Sequence, residues 1–472
     1  MNTFANAVKN QESRTENGMV ARSSTASSTT DLFFKIGASR GKDIIPQFVA
    51  AYVQDKDIAV RTALWARDAR NGAGERQLYR DILVHLAKND PEVASRLINK
   101  TVELGRWDDL LVLAGTSLQK EAFDLYKEAL ENGDGLAAKW APRKGPVANA
   151  LRNHFGYSPK FYRKRLVELT KVVEQQMCAK DWDNINFSHV PSVAAARYKK
   201  AFNRNTPKYA EYVAALVKGD DPKVKVNAGA VYPYDVIKGV YNHGSYNKTE
   251  LDLVTAQWEA LPNFIGEANV LAVVDVSGSM HCKAGGRASK SEVLCIDVAL
   301  SLGLYCADKN KGKFKDTFLT FSSEPELLHL NGNIVQKLQQ MDSSSWDMST
   351  DLHAAMEKIL SVAKQGQVPN EEMPQVLLIM SDMQFDHCVR HDDSAMQMIA
   401  RKYDAAGYEI PKVVFWNINA YDNVPVKFDK SGTALVSGFS PAILKSILGG
   451  DLDHMTPEAI MKDTVCVDRY DW

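Results

Sequence analysis

The sequence predicts two architectures in one chain: packed α-helices in the first part and an open α/β sheet in the second. Two patterns say so. From about Asp31 to Leu261 apolar residues recur at three- and four-residue spacing, the period of amphipathic helices. From about Asn269 short β-branched runs alternate with amphipathic helices, which builds a mainly parallel sheet with helices on both faces. Charge divides near the same place. There are 38 Lys and Arg against 31 Asp and Glu before Asp275, and 19 against 27 from there on, so the parts carry +7 and −8. The first is inclined toward a polyanion, the second toward a cation or toward no charged partner at all.

In the first 30 residues Ser and Thr abound without a basic segment leading into an apolar core, which reads as a flexible tail and not a secretory signal. The stretches IIPQFVAAYVQ, AVRTALWARDAR, ERQLYRDILVHLAK, EVASRLINKTVELG, WDDLLVLAG and KEAFDLYKEALEN then read as helices of 10 to 15 residues joined by short turns. Stacked pairs of such helices resemble HEAT repeats, although no clean sequence period marks them. Gly72-Ala73-Gly74-Glu75 is a turn between two helices: Gln77 stands where a dinucleotide fingerprint needs its third glycine, and a helix precedes it. Trp107 reads as a packing residue at a helix start. The expected boundaries are a tail over 1–30, a helical domain over 31–265 and an α/β domain over 266–472.

In the α/β part the strands are VLAVVD, DTFLTFS, QVLLIMSD and KVVFWNI. The helices between them are SEVLCIDVALSLGLYCA, NIVQKLQQM, DLHAAMEKILSVAK and DSAMQMIARKYDAAG. A composition of 45% hydrophobic and 24% charged residues excludes wholesale disorder, collagen and a disulfide scaffold. No apolar run approaches the roughly 18 residues that cross a bilayer, so no membrane partner is expected. Six cysteines without a CxxC pair fit a reducing cytoplasm. The phosphate loop, nucleophile elbow and HExxH signatures are missing from the sequence, and with them the ordinary marks of an enzyme.

Ligands of such folds sit at the carboxyl ends of the strands. The first strand ends in Asp275-Val276-Ser277-Gly278-Ser279, a DxSxS pattern that places one carboxylate and two hydroxyls on alternate positions of a turning loop. Hard oxygen donors of modest charge suit Mg²⁺ or Mn²⁺. Thr350 precedes the helix DLHAAMEKIL, and Asp382 closes the strand QVLLIMSD. His281-Cys282 and His387-Cys388 flank the same rim but lack zinc-finger spacing and read as packing residues.

This constellation resembles the von Willebrand factor A domain, whose metal-ion-dependent adhesion site (MIDAS) uses DxSxS, a loop Thr and a strand-end Asp. The resemblance implies Ser277, Ser279 and Thr350 as direct ligands, with Asp275 and Asp382 acting through water. It also implies an open coordination position that an acidic protein ligand fills.

In the helical part Lys139, Arg143, Lys144, Arg152, Lys160, Arg163, Lys164 and Arg165 follow one another without an Asp or Glu, interleaved with aromatics that include His154 and Tyr157. A second acid-free stretch over 184–210 carries Arg197, Lys199, Lys200, Arg204 and Lys208. Cations that neutralise phosphates beside rings that stack on unpaired bases are the ingredients of single-strand binding.

The segments RDARNGAGERQLYR, ELGRWDDLLVL, HVPSVAAARYKKAF and NAGAVYPYDVI, together with the A-type motif, resemble the TROVE and von Willebrand factor A family typified by the Ro autoantigen, and more closely its uncharacterised relatives in phages, bacteria and plants. That likeness implies a HEAT-like ring binding RNA, as small structured noncoding RNA outside and as single-stranded ends in a basic hole. The expected function is a non-enzymatic, cytoplasmic RNA-binding protein, a noncoding-RNA scaffold or quality-control factor. The alternative is a metal-dependent protein-interaction adaptor or assembly component that does not bind RNA.

Overall fold

The structure is a computed structural model that describes residues 12–14, 20–170, 172–228, 231–241, 248–284, 292–322, 324–344, 351–384, 395–419 and 424–472. The chain forms two compact units. One contains Met1–Thr62, Val231–Tyr246 and Leu261–Val467; the other contains Ala63–Ala230, Asn247–Ala260 and Asp468–Trp472.

Strands β1 (Glu12–Arg14) and β2 (Val20–Arg22) form a small antiparallel pair. The first unit is built on a six-stranded mixed sheet of β3 (Val270–Asp275), β4 (Thr317–Phe321), β5 (Leu327–His329), β6 (Val376–Ser381), β7 (Lys412–Asn417) and β8 (Thr433–Ser437). Their order is β5-β4-β3-β6-β7-β8, and every neighbouring pair is parallel except β4 with β5. The chain builds outward from β3 in one direction, then returns to lay β6 against its other side. The reversal falls between β3 and β6, the switch point where open α/β sheets bind ligands.

All six residues of β3 and all six of β6 are buried, as strands covered on both faces must be. Helix Cys295–Lys309 lies so close to β3 that a Cβ at Gly303 would come within 2.4 Å of Val274 Cγ2. The four strands and four helices read from the sequence are present, with helix ends shifted by a few residues. Strands β5 and β8 are additional.

Two of the expected boundaries differ from the structure. Residues 21–30 are not a tail: Thr25 and Thr30 are fully buried, and the Asp31 carboxylate accepts from Ser24 Oγ at 2.5 Å and from Thr25 N at 2.7 Å. Arg22 and Val424 exchange backbone hydrogen bonds of 3.0 and 2.8 Å. Nor does the sheet unit begin at residue 266, because helix Ser28–Ile36 belongs to it. Leu32, Phe33, Phe34 and Ile36 are fully buried, and Ser437 Oγ, at the end of β8, donates to the Phe33 carbonyl at 3.2 Å. The glycine ending that helix, Gly37, sits so close to β8 that a Cβ would meet the Ser437 carbonyl oxygen at 2.6 Å. Periodicity identifies the apolar face of a helix, not the module that covers it.

The second unit is helical. Helices Arg76–Asn89 and Pro91–Leu104 pack together, and Tyr79 and Thr101 share a buried hydroxyl hydrogen bond of 2.6 Å. The Gly72–Glu75 turn leads into the first of these, with Gly74 at φ +71°, a left-handed conformation that suits glycine. WDDLLVLAG forms a 3₁₀ helix, Trp107–Leu113, and not an α-helix. Asp109 shapes it by accepting from Arg106 N at 2.9 Å while its buried carboxylate holds Arg67 at 2.5 Å and Arg80 at 2.7 Å. Trp107 is a packing residue, 5.0 Å from the Tyr126 ring. None of the described helices is long and apolar enough to cross a membrane.

Candidate functional site

The carboxyl ends of β3, β6 and β7 form a polar crown. Asp275, the last residue of β3, is fully buried; its Oδ1 accepts from Ser277 N at 2.9 Å and its Oδ2 from Ser381 Oγ at 2.5 Å. The turn after β3 brings Ser277 Oγ and Ser279 Oγ to 3.0 Å from each other. Asp382, immediately after β6, is also fully buried. Its Oδ1 accepts from Gln384 N at 3.2 Å, while the buried Oδ2 receives no hydrogen bond of ordinary geometry among the described residues.

Electrostatics mark Asp382. Burial, together with the negative charge of Asp275, pushes its carboxyl up to about 8, against the weaker opposing pull of the Ser279 hydroxyl and the Gln384 amide. Two buried carboxylates at one strand-end junction are costly unless a proton or a cation compensates. Further buried atoms without hydrogen-bond partners among the described residues lie on the neighbouring strand ends: Asn417 Nδ2 at the end of β7, Asn419 Oδ1 just beyond it, and Ser322 Oγ after β4.

Among the described residues no cluster of three His, Cys, Asp or Glu side chains has metal-binding spacing. The crown's donors are instead two carboxylates and two hydroxyls, a set that fits Mg²⁺ or Mn²⁺ and not zinc. The structure thus brings Asp275, Ser277, Ser279 and Asp382 together. Thr350 lies outside the described residues, as do His387 and Cys388. Asp351 caps the helix after it, accepting from Ala354 N at 3.0 Å. Cys282 faces Cys295, with sulfurs 3.6 Å apart, and accepts a hydrogen bond from Asn419. The residue that sequence reasoning left without a role is Ser381, although its hydroxyl holds Asp275.

The basic stretches lie in the helical unit. Ser158 caps helix Pro159–Leu169 through Phe161 N at 3.2 Å, and Tyr162 and Leu166 form its buried stripe. Its outer surface exposes Lys160, Phe161, Arg163 and Lys164. No ion-pair partner engages these three cations among the described residues. Phe161 is 51% exposed with its ring 4.7 Å from that of Tyr157. Arg143 and Lys144 are exposed on the loop before helix Pro146–Phe155, whereas Lys139 and Arg152 are half-buried.

Other members are committed elsewhere. Arg165 donates to the Leu130 carbonyl at 2.9 Å, and His154 pairs with Asp124 at 2.7 Å while packing edge-on against Phe123. Trp140 is covered by the Arg106 guanidinium, 3.7 Å from its ring centre. In the second stretch Arg197, Lys200 and Arg204 are exposed on one face of helix Ser192–Asn205, spaced by three and four residues. Lys199 is half-buried, and Lys208 donates to the Asp183 carbonyl at 2.9 Å. Sequence reasoning counts Phe161 among the interleaved aromatics but names only His154 and Tyr157 as site residues, whereas Phe161 is the most exposed ring of the cluster.

Residues 269–467 match a domain of unknown function, DUF7788, and residues 148–269 match another, DUF2828. The two matches meet one residue before β3. The chain is 29% identical to the uncharacterized protein L728 of Acanthamoeba polyphaga mimivirus, over 93% of this chain and 84% of that protein. Among solved structures, the RO (RSR) protein of Deinococcus radiodurans aligns with a TM-score of 0.47 at 14% identity, covering 94% of this chain and all of that one.

Proposed function

We propose that the protein binds RNA through its helical unit, without catalysing a reaction, and that its sheet unit carries a structural Mg²⁺ or Mn²⁺ site of MIDAS type. The observation that carries the RNA reading is the outer face of helix Pro159–Leu169. Lys160, Arg163 and Lys164 stand there without anionic partners among the described residues, around a half-exposed Phe161. Cations in reach of phosphates beside a ring that can stack on a base suit a single strand or an unpaired loop. The family resemblance read from the sequence points the same way, toward small noncoding RNA or RNA ends in a reducing, cytoplasmic setting. Filter binding of single-stranded RNA to the full-length protein across a salt series tests the reading. RNA affinity no greater than that of an acidic protein of equal size would overturn it.

The metal reading rests on Asp382, whose buried Oδ2 lacks a partner among the described residues and lies beside the buried Asp275. Ser277, Ser279 and Asp382 would hold the cation with Thr350, and Asp275 would orient the serine loop. When bound, the cation supplies charge compensation and an open position for an acidic side chain. That property favours a second reading, a metal-dependent protein adaptor. Titrating Mn²⁺ into the Asp275→Ala/Ser277→Ala double variant by calorimetry tests the site: unchanged affinity would remove it.

A further inference from the structure

We propose that Cys282 and Cys295 are a reversible oxidation site, a dithiol that closes to an intramolecular disulfide at the rim of the crown. The geometry is that of two opposed residues on an antiparallel pair. Lys283 and Leu294 are bridge partners, Cys295 N donates to the Cys282 carbonyl at 3.0 Å, and Ala284 N donates to the Val293 carbonyl at 2.9 Å. Lys283 and Glu292 add an ion pair of 2.9 Å across the same ribbon. Residues directly opposite on such a ribbon have Cα atoms about 4.5 to 5.5 Å apart, inside the range a disulfide spans.

The sulfurs lie 3.6 Å apart and already face each other. Bond formation needs an approach of about 1.5 Å, within reach of side-chain rotation on a fixed backbone. The two thiols are also unequal. Cys282 is half-buried, whereas Cys295 is fully buried as the first residue of helix Cys295–Lys309. Cys282 is the more accessible residue and Cys295 the enclosed one, the arrangement of an attacking and a resolving cysteine.

The oxidant is a small-molecule disulfide such as oxidised glutathione. The Cys282 thiolate attacks one of its sulfurs and expels one thiolate, leaving a mixed disulfide on Cys282. That thiolate takes up the proton from Cys295, whose sulfur then attacks Cys282 Sγ and expels the second thiolate, which is protonated by water in place of the proton Cys282 gave up to solvent on forming its thiolate. Two cysteine thiols are oxidised by two electrons in all, and the reagent is reduced to two thiols. The product ties the segment following the DxSxS loop to the first turn of the helix that covers β3.

The test uses the full-length protein equilibrated without oxygen in buffers of graded reduced-to-oxidised glutathione ratio, then denatured, alkylated and peptide-mapped. A Cys282–Cys295 linked peptide should appear toward the oxidising end and disappear with dithiothreitol. In Cys295→Ser the mixed disulfide should accumulate on Cys282, and in Cys282→Ser the thiol at Cys295 should remain free. Full alkylation of both cysteines at every ratio would overturn the proposal. So would linkage of either one to Cys178, Cys388 or Cys466.

Discussion

Ser381 Oγ donates to Asp275 Oδ2 across 2.5 Å, tying the end of β6 to the end of β3. The same hydroxyl accepts from Met383 N at 3.0 Å, so one serine fixes both the first acidic residue of the crown and the turn carrying the second. Ser381→Ala removes the hydroxyl that holds Asp275 Oδ2. Because groups that orient metal ligands contribute roughly 10- to 100-fold in affinity, the variant should bind Mn²⁺ at least tenfold more weakly than wild type while melting within a few degrees of it. Calorimetry beside a thermal melt checks this; equal affinity would show that Asp275 needs no such holder.

The salt dependence of RNA binding separates free cations from committed ones. Changing Lys160, Arg163 and Lys164 to Gln should flatten the slope of log affinity against log salt by about two, at about 0.7 for each phosphate contact with a single strand. Arg165→Gln should leave the slope unchanged and lower stability, because its guanidinium serves the Leu130 carbonyl. A larger slope change from Arg165 than from the triple variant would reverse the assignment.

Stacking is measurable apart from charge. Phe161→Ala should weaken single-strand binding by about 1 to 3 kcal/mol with no change in salt slope and little change in melting temperature, as its ring is half exposed. Phe155→Ala, at a buried ring 5.5 Å from Tyr157, should instead unsettle the fold. Binding of Phe161→Ala at wild-type strength would exclude this ring as a platform.

The chain's last residues make a pH-dependent contribution to the helical unit. Burial by itself would raise the Asp68 carboxyl, but hydrogen bonds and charge from Arg469, with the amides of Arg70 and Asn71, outweigh it and hold the group below its ordinary 3.8. Arg469 reaches Asp68 through Nε at 2.5 Å and Nη2 at 3.0 Å, and Tyr470 OH adds a third donor at 3.1 Å. A depressed carboxyl stabilises the fold above its unfolded value and loses that contribution as pH falls through the folded one. Wild-type melting temperature should therefore drop more steeply than that of Asp68→Asn below about pH 4. Arg469→Gln should cost about 2 kcal/mol at neutral pH, since it leaves a buried carboxylate short of donors. Parallel pH profiles for wild type and Asp68→Asn would exclude the linkage.

The sheet was legible because its central strands are continuous β-branched runs, and Asp275, Ser277 and Asp382 were legible because they stand at the ends of two of them. Strand β5 has three residues, too short to show a period, and β8 is a five-residue run between Gly432 and Gly438. The role of Ser381 depends on the pairing of β3 with β6, which joins residues 106 apart in the chain. Acid-free runs located the exposed cations but not their neighbours: Asp124 and the Leu130 carbonyl, which occupy His154 and Arg165, come from another helix. The polar run before Asp31 reads as tail, yet its hydroxyls are consumed by buried hydrogen bonds such as that from Thr25 Oγ1 to the Ser27 carbonyl at 2.9 Å.

The contact between Phe33 and Ser437 spans 404 residues, which sets a schedule for biosynthesis. At roughly 5 to 20 residues per second, the ribosome takes about 20 to 80 s to deliver β8 after helix Ser28–Ile36 has emerged. Throughout that interval Leu32, Phe33, Phe34 and Ile36 have no final resting place. The nascent chain therefore carries an unsatisfied apolar segment until β8 has emerged, and holding chaperones have a long-lived target there.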